Sequence, residues 1–299
     1  NKRILVIGSN SFSGAHFACG ARVKGHEVFG ISRSLPPKKP FMPNTWHYKN
    51  DVEYPFQKLD LNNDLSEIES LVDKFKPSHV VNFAAQGMVA ESWKTPVDWY
   101  KTNLVSQVKL HDKLRTCRFL EKYVHVSTPE VYGSNDDWIK ESYTFSPSTP
   151  YAVSRAACDL HLLSFLNGYN FPVVFTRAAN VYGPGQQLYR IIPRTILAAM
   201  TGKKLELHGG GLTERSFIHI NDVVDATLKI CLDGTVGETY HISTNKLIKI
   251  CKLVEVIADK FDLKINDIAN IGSERLGKDQ AYKLSSAKLR ERLNWEDKI

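Results

Sequence analysis

Tyr151 and Arg155 stand four residues apart in Tyr151-Ala152-Val153-Ser154-Arg155, a stretch entered through Ser148-Thr149-Pro150. Thr149 is a favourable N-cap and Pro150 suits the first helical position, so the sequence predicts a helix from Tyr151 to about Gly168 with both side chains on one face. A cation beside a phenol favours the phenolate. A phenol so placed can take the proton of an alcohol whose carbon gives up a hydride. The same pair occurs on ordinary helix surfaces, so its meaning depends on what the rest of the chain sets beside it.

Hydride chemistry needs a nucleotide cofactor, and the N-terminal stretch has the form of a place to hold one. Arg3-Ile4-Leu5-Val6-Ile7 is a short apolar run of the kind buried on both faces of a parallel sheet. It leads into Gly8-Ser9-Asn10-Ser11-Phe12-Ser13-Gly14 and then a helical stretch. Gly8 permits a tight turn, Gly14 permits close packing of helix on strand, and the free amides at the helix start can receive a pyrophosphate. The middle position of the glycine pattern is Ser11. At the end of the second expected strand, Ser32-Arg33 replaces the acid that would accept adenosine ribose hydroxyls. That favours NADP over NAD, although such an arginine can also lie against the adenine.

Further strands are expected at 27–31, 56–60, 79–84, 122–127, 172–177 and 237–243. Helices are expected at 15–24, 64–75, 98–116, 151–167, 190–201, 221–232 and 247–261. The alternation predicts an α/β fold, a Rossmann-type doubly wound parallel sheet with a smaller, discontinuous α/β substrate-binding lobe. The dinucleotide-binding part is placed at 1–180, completed by about 218–244, and the lobe at 181–217 and 245–299.

Composition narrows the classes. The chain has 299 residues, 42% hydrophobic and 24% charged, the ordinary range of globular proteins. Its net charge of +7 is spread through the chain, not gathered in a block, which argues against nucleic acid as a partner. Apolar runs are too short to cross a membrane, and a cytoplasmic location is expected. The five cysteines, Cys19, Cys117, Cys158, Cys231 and Cys251, form no CxxC pair; they read as reduced core thiols, with no metal site indicated.

Seven short motifs in order resemble the extended short-chain dehydrogenase/reductase family, in its nucleotide-sugar branch. They are the turn at 8–14, Asp60-Leu61, Asn82-Phe83-Ala84-Ala85-Gln86, Ser127-Thr128-Pro129-Glu130-Val131-Tyr132-Gly133, the Tyr151 helix, Arg177 through Pro184, and Arg215 through Asp222. Arg275-Leu276-Gly277-Lys278-Asp279 is similar to a further family motif near the C-terminus. The resemblance implies that Tyr151 removes the proton of the sugar C4 hydroxyl, that Thr128 bonds the same oxygen, and that Glu130 takes the C5 proton. It implies cofactor contacts from Gly8, Ser11, Phe12, Gly14, Ser32, Arg33, Asp60, Leu61, Ala84, Ala85, Gln86, Tyr151 and Arg155. Asn180, Arg215 and Arg275 would bind the substrate diphosphate, and Asn103 is either structural or part of the site.

Two positions depart from the family pattern. Arg155 stands where the family has lysine, keeping the charge with a different shape. Pro129 stands where the dTDP-glucose 4,6-dehydratases have an aspartate that protonates the leaving C6 hydroxyl, as in GDP-mannose 4,6-dehydratases, which keep only the glutamate. The expectation is an NDP-sugar 4,6-dehydratase for cell-surface glycan synthesis, closest in type to the GDP-mannose enzymes, with tightly held NADP or NAD. A C4-dehydrogenase, epimerase or decarboxylase of the family, and a non-catalytic nucleotide-sugar-binding member, stay open as alternatives. The family also implies a homodimer through helices 98–116 and 151–167; a stripe of Ala152, Ala156, Leu160 and Leu163 could serve either the sheet or a partner.

Overall fold

The computed structural model describes residues 1–48, 52–135, 137–272 and 282–299. Seven strands build one parallel sheet: β1 (Arg3–Ile7), β2 (Glu27–Ser32), β3 (Phe56–Lys58), β4 (His79–Asn82), β5 (Lys122–Val126), β6 (Val173–Ala178) and β7 (Thr239–Ile242). Their spatial order is β7-β6-β5-β4-β1-β2-β3, every neighbouring pair parallel. This is the doubly wound order, in which the chain leaves β1 in one direction and returns beside it in the other.

Alternation along β1 assigns the two faces. Ile4 and Val6 face one core with Phe17 of α1 (Phe12–Val23). Leu5 and Ile7 face the other, with Ile68 and Val72 of α2 (Leu65–Phe75). The second face is also covered by α3 (Pro96–Tyr100), a π-turn at Lys101–Val105, α4 (Ser106–Leu114) and α5 (Pro150–Tyr169). Thr149 caps α5 as expected, accepting from the Ala152 amide at 3.1 Å, and Asn170 in the left-handed region ends it. The expected single helix at 98–116 contains the π-turn instead, because Asn103 is drawn inward, where it is 1% exposed.

A smaller core of Ala198, Leu205, Leu207, Val254, Ala258, Ile268 and Ala269 joins α6 (Ile191–Thr201), α8 (Ile250–Asp259) and the paired strands Leu205–His208 and Ala269–Gly272. Between the two chain segments of this lobe, α7 (Ile220–Asp233) packs on the first face of the large sheet. The last segment departs from the expected partition. Helix Ala287–Leu293 and the residues after it return to the large sheet, where Leu289 and Trp295 are buried with Val224 and Ile242. Burial of that indole outweighs continuity with the lobe.

Candidate active site

The strand order reverses between β1 and β4, which opens a crevice at their carboxyl ends. Gly8, at φ +79°, turns the chain there; a Cβ on it would lie 2.8 Å from the Ala84 amide nitrogen. On Gly14 a Cβ would lie 2.2 Å from the Gly8 carbonyl oxygen. Neither position accepts a side chain. Ser11 caps α1, its hydroxyl donating to the Gly8 carbonyl at 2.7 Å and accepting from the Gly14 amide at 3.1 Å. The Phe12 and Ser13 amides remain in the first turn, at the positive end of the helix, as donors for a diphosphate. Ser11 thus supports the turn as a cap, the role its type favours.

On the other side of the crevice the backbone after β4 is fixed from below. Asn82 accepts from the Ala84 amide at 2.9 Å and donates to Gln107 at 2.7 Å and Tyr123 at 2.8 Å. Gln107 donates in turn to the Ala84 carbonyl at 3.1 Å. This leaves Ala84 half-buried and Ala85 exposed at the strand end. Arg33 is exposed and donates to the Gln86 side chain at 3.0 Å, bridging β2 to the same loop. Ser32, at the end of β2, is half-buried. Asp60 closes its own turn, accepting from Asn62 and Asn63 at 2.9 and 3.1 Å, and Leu61 is buried in the core.

The residues expected to transfer protons lie near the end of β5. Thr128 opens a short 3-10 turn at Pro129–Tyr132 and accepts from the Glu130 amide at 3.3 Å. Its hydroxyl also bonds the Tyr151 phenol. Burial pushes the Tyr151 phenol up from its ordinary pKa; the Arg155 guanidinium opposes this, the Glu130 carboxylate adds to it, and the Thr128 bond and Arg190 oppose it. The charges of Glu130, Arg155 and Arg190 thus all act on the phenol. Arg155 is 2% exposed and donates to the Val126 carbonyl, the last of β5, while its Nε is buried without a partner.

Asn103 is a scaffold for this site. Its amide group accepts from the Gln86 amide at 2.7 Å and donates to the Gln86 carbonyl and the Ser154 hydroxyl, both at 3.0 Å. Ser92, buried in the loop before α3, accepts from the Tyr151 amide at 3.2 Å and so fixes the first turn of α5. Sequence reading gave Ser92 and Ser154 no positioning role, since a small hydroxyl within a motif does not name its partner. It also missed Arg190, which precedes α6 and whose charge acts on the phenol.

Asn180 and Arg215 come together in that lobe. Asn180 donates through its side chain to the Ser216 carbonyl at 3.1 Å, beside Arg215, in the ribbon of Asn180–Tyr182 with Phe217–His219. Arg275 lies outside the described residues.

The glycine turn fits a dinucleotide, because two positions exclude any side chain and the amides beside them face a crevice. Comparison with known proteins agrees. The NAD dependent epimerase/dehydratase family matches residues 4–243. The human dTDP-D-glucose 4,6-dehydratase is 30% identical over 100% of this chain and 86% of its own length. An Arabidopsis thaliana trifunctional UDP-glucose 4,6-dehydratase/UDP-4-keto-6-deoxy-D-glucose 3,5-epimerase/UDP-4-keto-L-rhamnose-reductase is 29% identical over 99% of this chain, which spans about half, 46%, of that relative. Among solved structures, a Streptomyces venezuelae dTDP-glucose 4,6-dehydratase with NAD bound superposes with a TM-score of 0.88, at 26% identity, covering 99% of this chain and 92% of the other. With its sheet order, glycine turn and Thr-Tyr pair all in place, the chain belongs to the NAD dependent epimerase/dehydratase family.

Proposed function

We propose that the protein is an NDP-sugar 4,6-dehydratase, and the observation that supports it most directly is the Thr128 hydroxyl, which bonds the Tyr151 phenol and accepts from the Glu130 amide. A bound nicotinamide supplies acceptance of a hydride from sugar C4 and its later return to C6. Tyr151 takes the C4 hydroxyl proton, and Thr128 holds the same oxygen. The resulting 4-ketone acidifies C5–H, which Glu130 removes. Pro129 has no proton to offer, so the proton on Glu130 goes to the C6 hydroxyl, which leaves as water. C5 takes up a solvent proton and Tyr151 releases its proton to solvent, so that, with the hydride the cofactor would return, the net change is loss of one water.

Gly8, Ser11, Phe12, Gly14, Ser32, Arg33, Asp60, Leu61, Ala84, Ala85, Gln86 and Arg155 would line the cofactor side; Asn180, Arg190, Arg215 and Arg275 would face the diphosphate, where guanidinium forks suit phosphate oxygens. Residues 181–217 and 245–272 form the substrate lobe of this reading. Because Arg33 follows β2 with no acid beside it, NADP is the favoured cofactor.

A homodimer goes with this reading. Ala152 and Ala156 are buried against their own protein, at 1% and 4% exposure, so the expected stripe divides. Val153, Ala157, Leu160 and Ser164 form the outward row of α5, with Leu160 at 52% exposure, and Val97 and Val105 add exposed apolar surface on the neighbouring helix. Leu160→Glu should convert a dimer to a 33.8 kDa species in sedimentation; a wild-type protein that sediments only at that mass removes this part.

The function is tested by incubation with CDP-, dTDP-, GDP- and UDP-hexoses in deuterated water. One of them should give a product lighter by one water with deuterium at C5. Glu130→Gln should still oxidise C4 but lose C5 exchange, and Tyr151→Phe should lose both. A product that keeps its C6 hydroxyl, with normal turnover by Glu130→Gln, would replace this reading by C4 dehydrogenation.

A further inference from the structure

On the protein side of the catalytic loop, away from the crevice, three elements bring together a set of metal-ligating side chains that no motif spacing announces. His111 of α4, His125 of β5 and Cys158 of α5 each offer one ligand atom, and these atoms lie within 4.8 Å of one another. All three residues are buried, at 0%, 1% and 0% exposure. Such a triangle has a point no more than about 2.8 Å from every corner, so inward shifts of about 0.5–0.8 Å reach the roughly 2.0–2.3 Å of zinc–nitrogen and zinc–sulfur bonds.

The ring nitrogens add an independent sign. Nδ1 of His111 and Nδ1 of His125 are buried with no hydrogen-bond partner, a costly arrangement for a polar atom in a closed core. Nε2 of His111 lies 2.7 Å from the Tyr123 hydroxyl, whereas Nε2 of His125 is also buried without a hydrogen bond, 3.3 Å from Asp159 Oδ1. His111 has a form common among ligating histidines, one nitrogen oriented by an oxygen and the other left for the metal. Two arginines stand against a cation here, since the fields of Arg155 and Arg177 both reach His125; the Asp159 carboxylate and the thiolate formed on binding oppose them.

We propose that His111, His125 and Cys158 form a structural site for a thiophilic divalent cation, zinc being the best match to two imidazoles and one thiolate. Binding forms one metal–sulfur and two metal–nitrogen bonds and releases the Cys158 thiol proton to solvent. The site would tie α4 and α5 to β5, the strand that delivers Thr128, and stands apart from the dehydratase reading. His161, stacked on His111 with ring centroids 5.4 Å apart, shields it from solvent.

Chelator-treated full-length protein, titrated with Co²⁺ alone, should show thiolate-to-metal charge-transfer absorption that saturates at one equivalent and is bleached by Zn²⁺. Cys158→Ala and His111→Phe should lose that signal, while Cys251→Ser, which removes the one partly exposed thiol, should keep it. Zn²⁺ should raise the thermal midpoint of wild type and leave that of Cys158→Ala unchanged; Cys158→Ser serves if the alanine variant fails to fold. Absence of charge transfer at one equivalent, or a signal that survives in Cys158→Ala and vanishes in Cys251→Ser, overturns the proposal.

Discussion

Asp159 of α5 and Arg177 of β6 form an ion pair, Oδ2 to Nη2 at 2.8 Å, with neither side chain exposed to solvent. The same carboxylate oxygen accepts from the Ser127 hydroxyl at 2.7 Å. Arg177 donates onward to the Tyr132 hydroxyl at 3.0 Å, and that hydroxyl lies 2.6 Å from Nε2 of His241 on β7. Both ends of the Ser127–Tyr132 segment, which carries Thr128 and Glu130, are therefore bonded to one buried charge pair. Burial would push the Asp159 carboxyl up, but Arg177, His125 and Ser127 together override it and hold its pKa at about 2.

Removing one member of such a pair leaves the other buried and uncompensated. Arg177→Met should cost about 3–5 kcal/mol in denaturant unfolding, and Arg177→Met with Asp159→Leu should recover part of that loss. A double variant no better than the sum of the singles would show that the two charges do not act as a unit.

Three other buried histidines make stability depend on pH. Burial lowers His16 and His79 to about 4 and His241 to about 3, from an ordinary value of 6.5. Their unfolded forms bind protons first as pH falls, so the contribution is complete above pH 6.5 and is lost progressively toward pH 4, on the order of 2–4 kcal/mol per residue. Urea unfolding at pH 7.5, 6 and 5 should show midpoints that fall in that order. His16→Gln, able to keep the 3.1 Å bond to the Pro184 carbonyl, should flatten the slope.

Local signals were the legible ones. Thr149 before Pro150 marked the start of α5, and Gly8 and Gly14 marked a turn whose lack of space for any Cβ the structure makes concrete. Asn103, Ser92, Asp159 and Arg177 act through partners 17 to 59 residues away, and no periodicity encodes such a partner. Trp295 gave no sign of packing under β7 because its partners, among them Ile242, belong to other elements. The stripe of Ala152, Ala156, Leu160 and Leu163 left the sheet and a partner open because a small residue suits both; only burial separates Ala152 from Leu160.

Arg33 tests the proposed preference for NADP. Its guanidinium is exposed and bonded only lightly, through the Gln86 amide at 3.0 Å, so a 2′-phosphate could take over that bond. Titration of cofactor-free protein should give tighter NADP than NAD binding, and Arg33→Ala should weaken NADP by about tenfold or more while leaving NAD nearly unchanged. Equal loss for both would mean that Arg33 lies on the adenine and reads no phosphate.

Arg155 tests whether the phenol depends on a charge or on a particular shape. Burial raises the Tyr151 phenol, and the Arg155 guanidinium is the largest opposing influence, delivered from a side chain anchored on the Val126 carbonyl. Arg155→Met removes that influence, so the alkaline shift of Tyr151 should grow and single-turnover C4 oxidation at neutral pH should fall by about 10²-fold. The rising limb of its pH–rate profile should move upward. Arg155→Lys keeps a cation and should hold the limb near its wild-type position, even though one ammonium cannot reproduce the guanidinium fork. Cofactor affinity, measured separately, distinguishes a lost ribose contact from a lost charge: a methionine variant with weakened cofactor binding but an unmoved pH profile would assign Arg155 to positioning the cofactor and leave the phenol to Thr128.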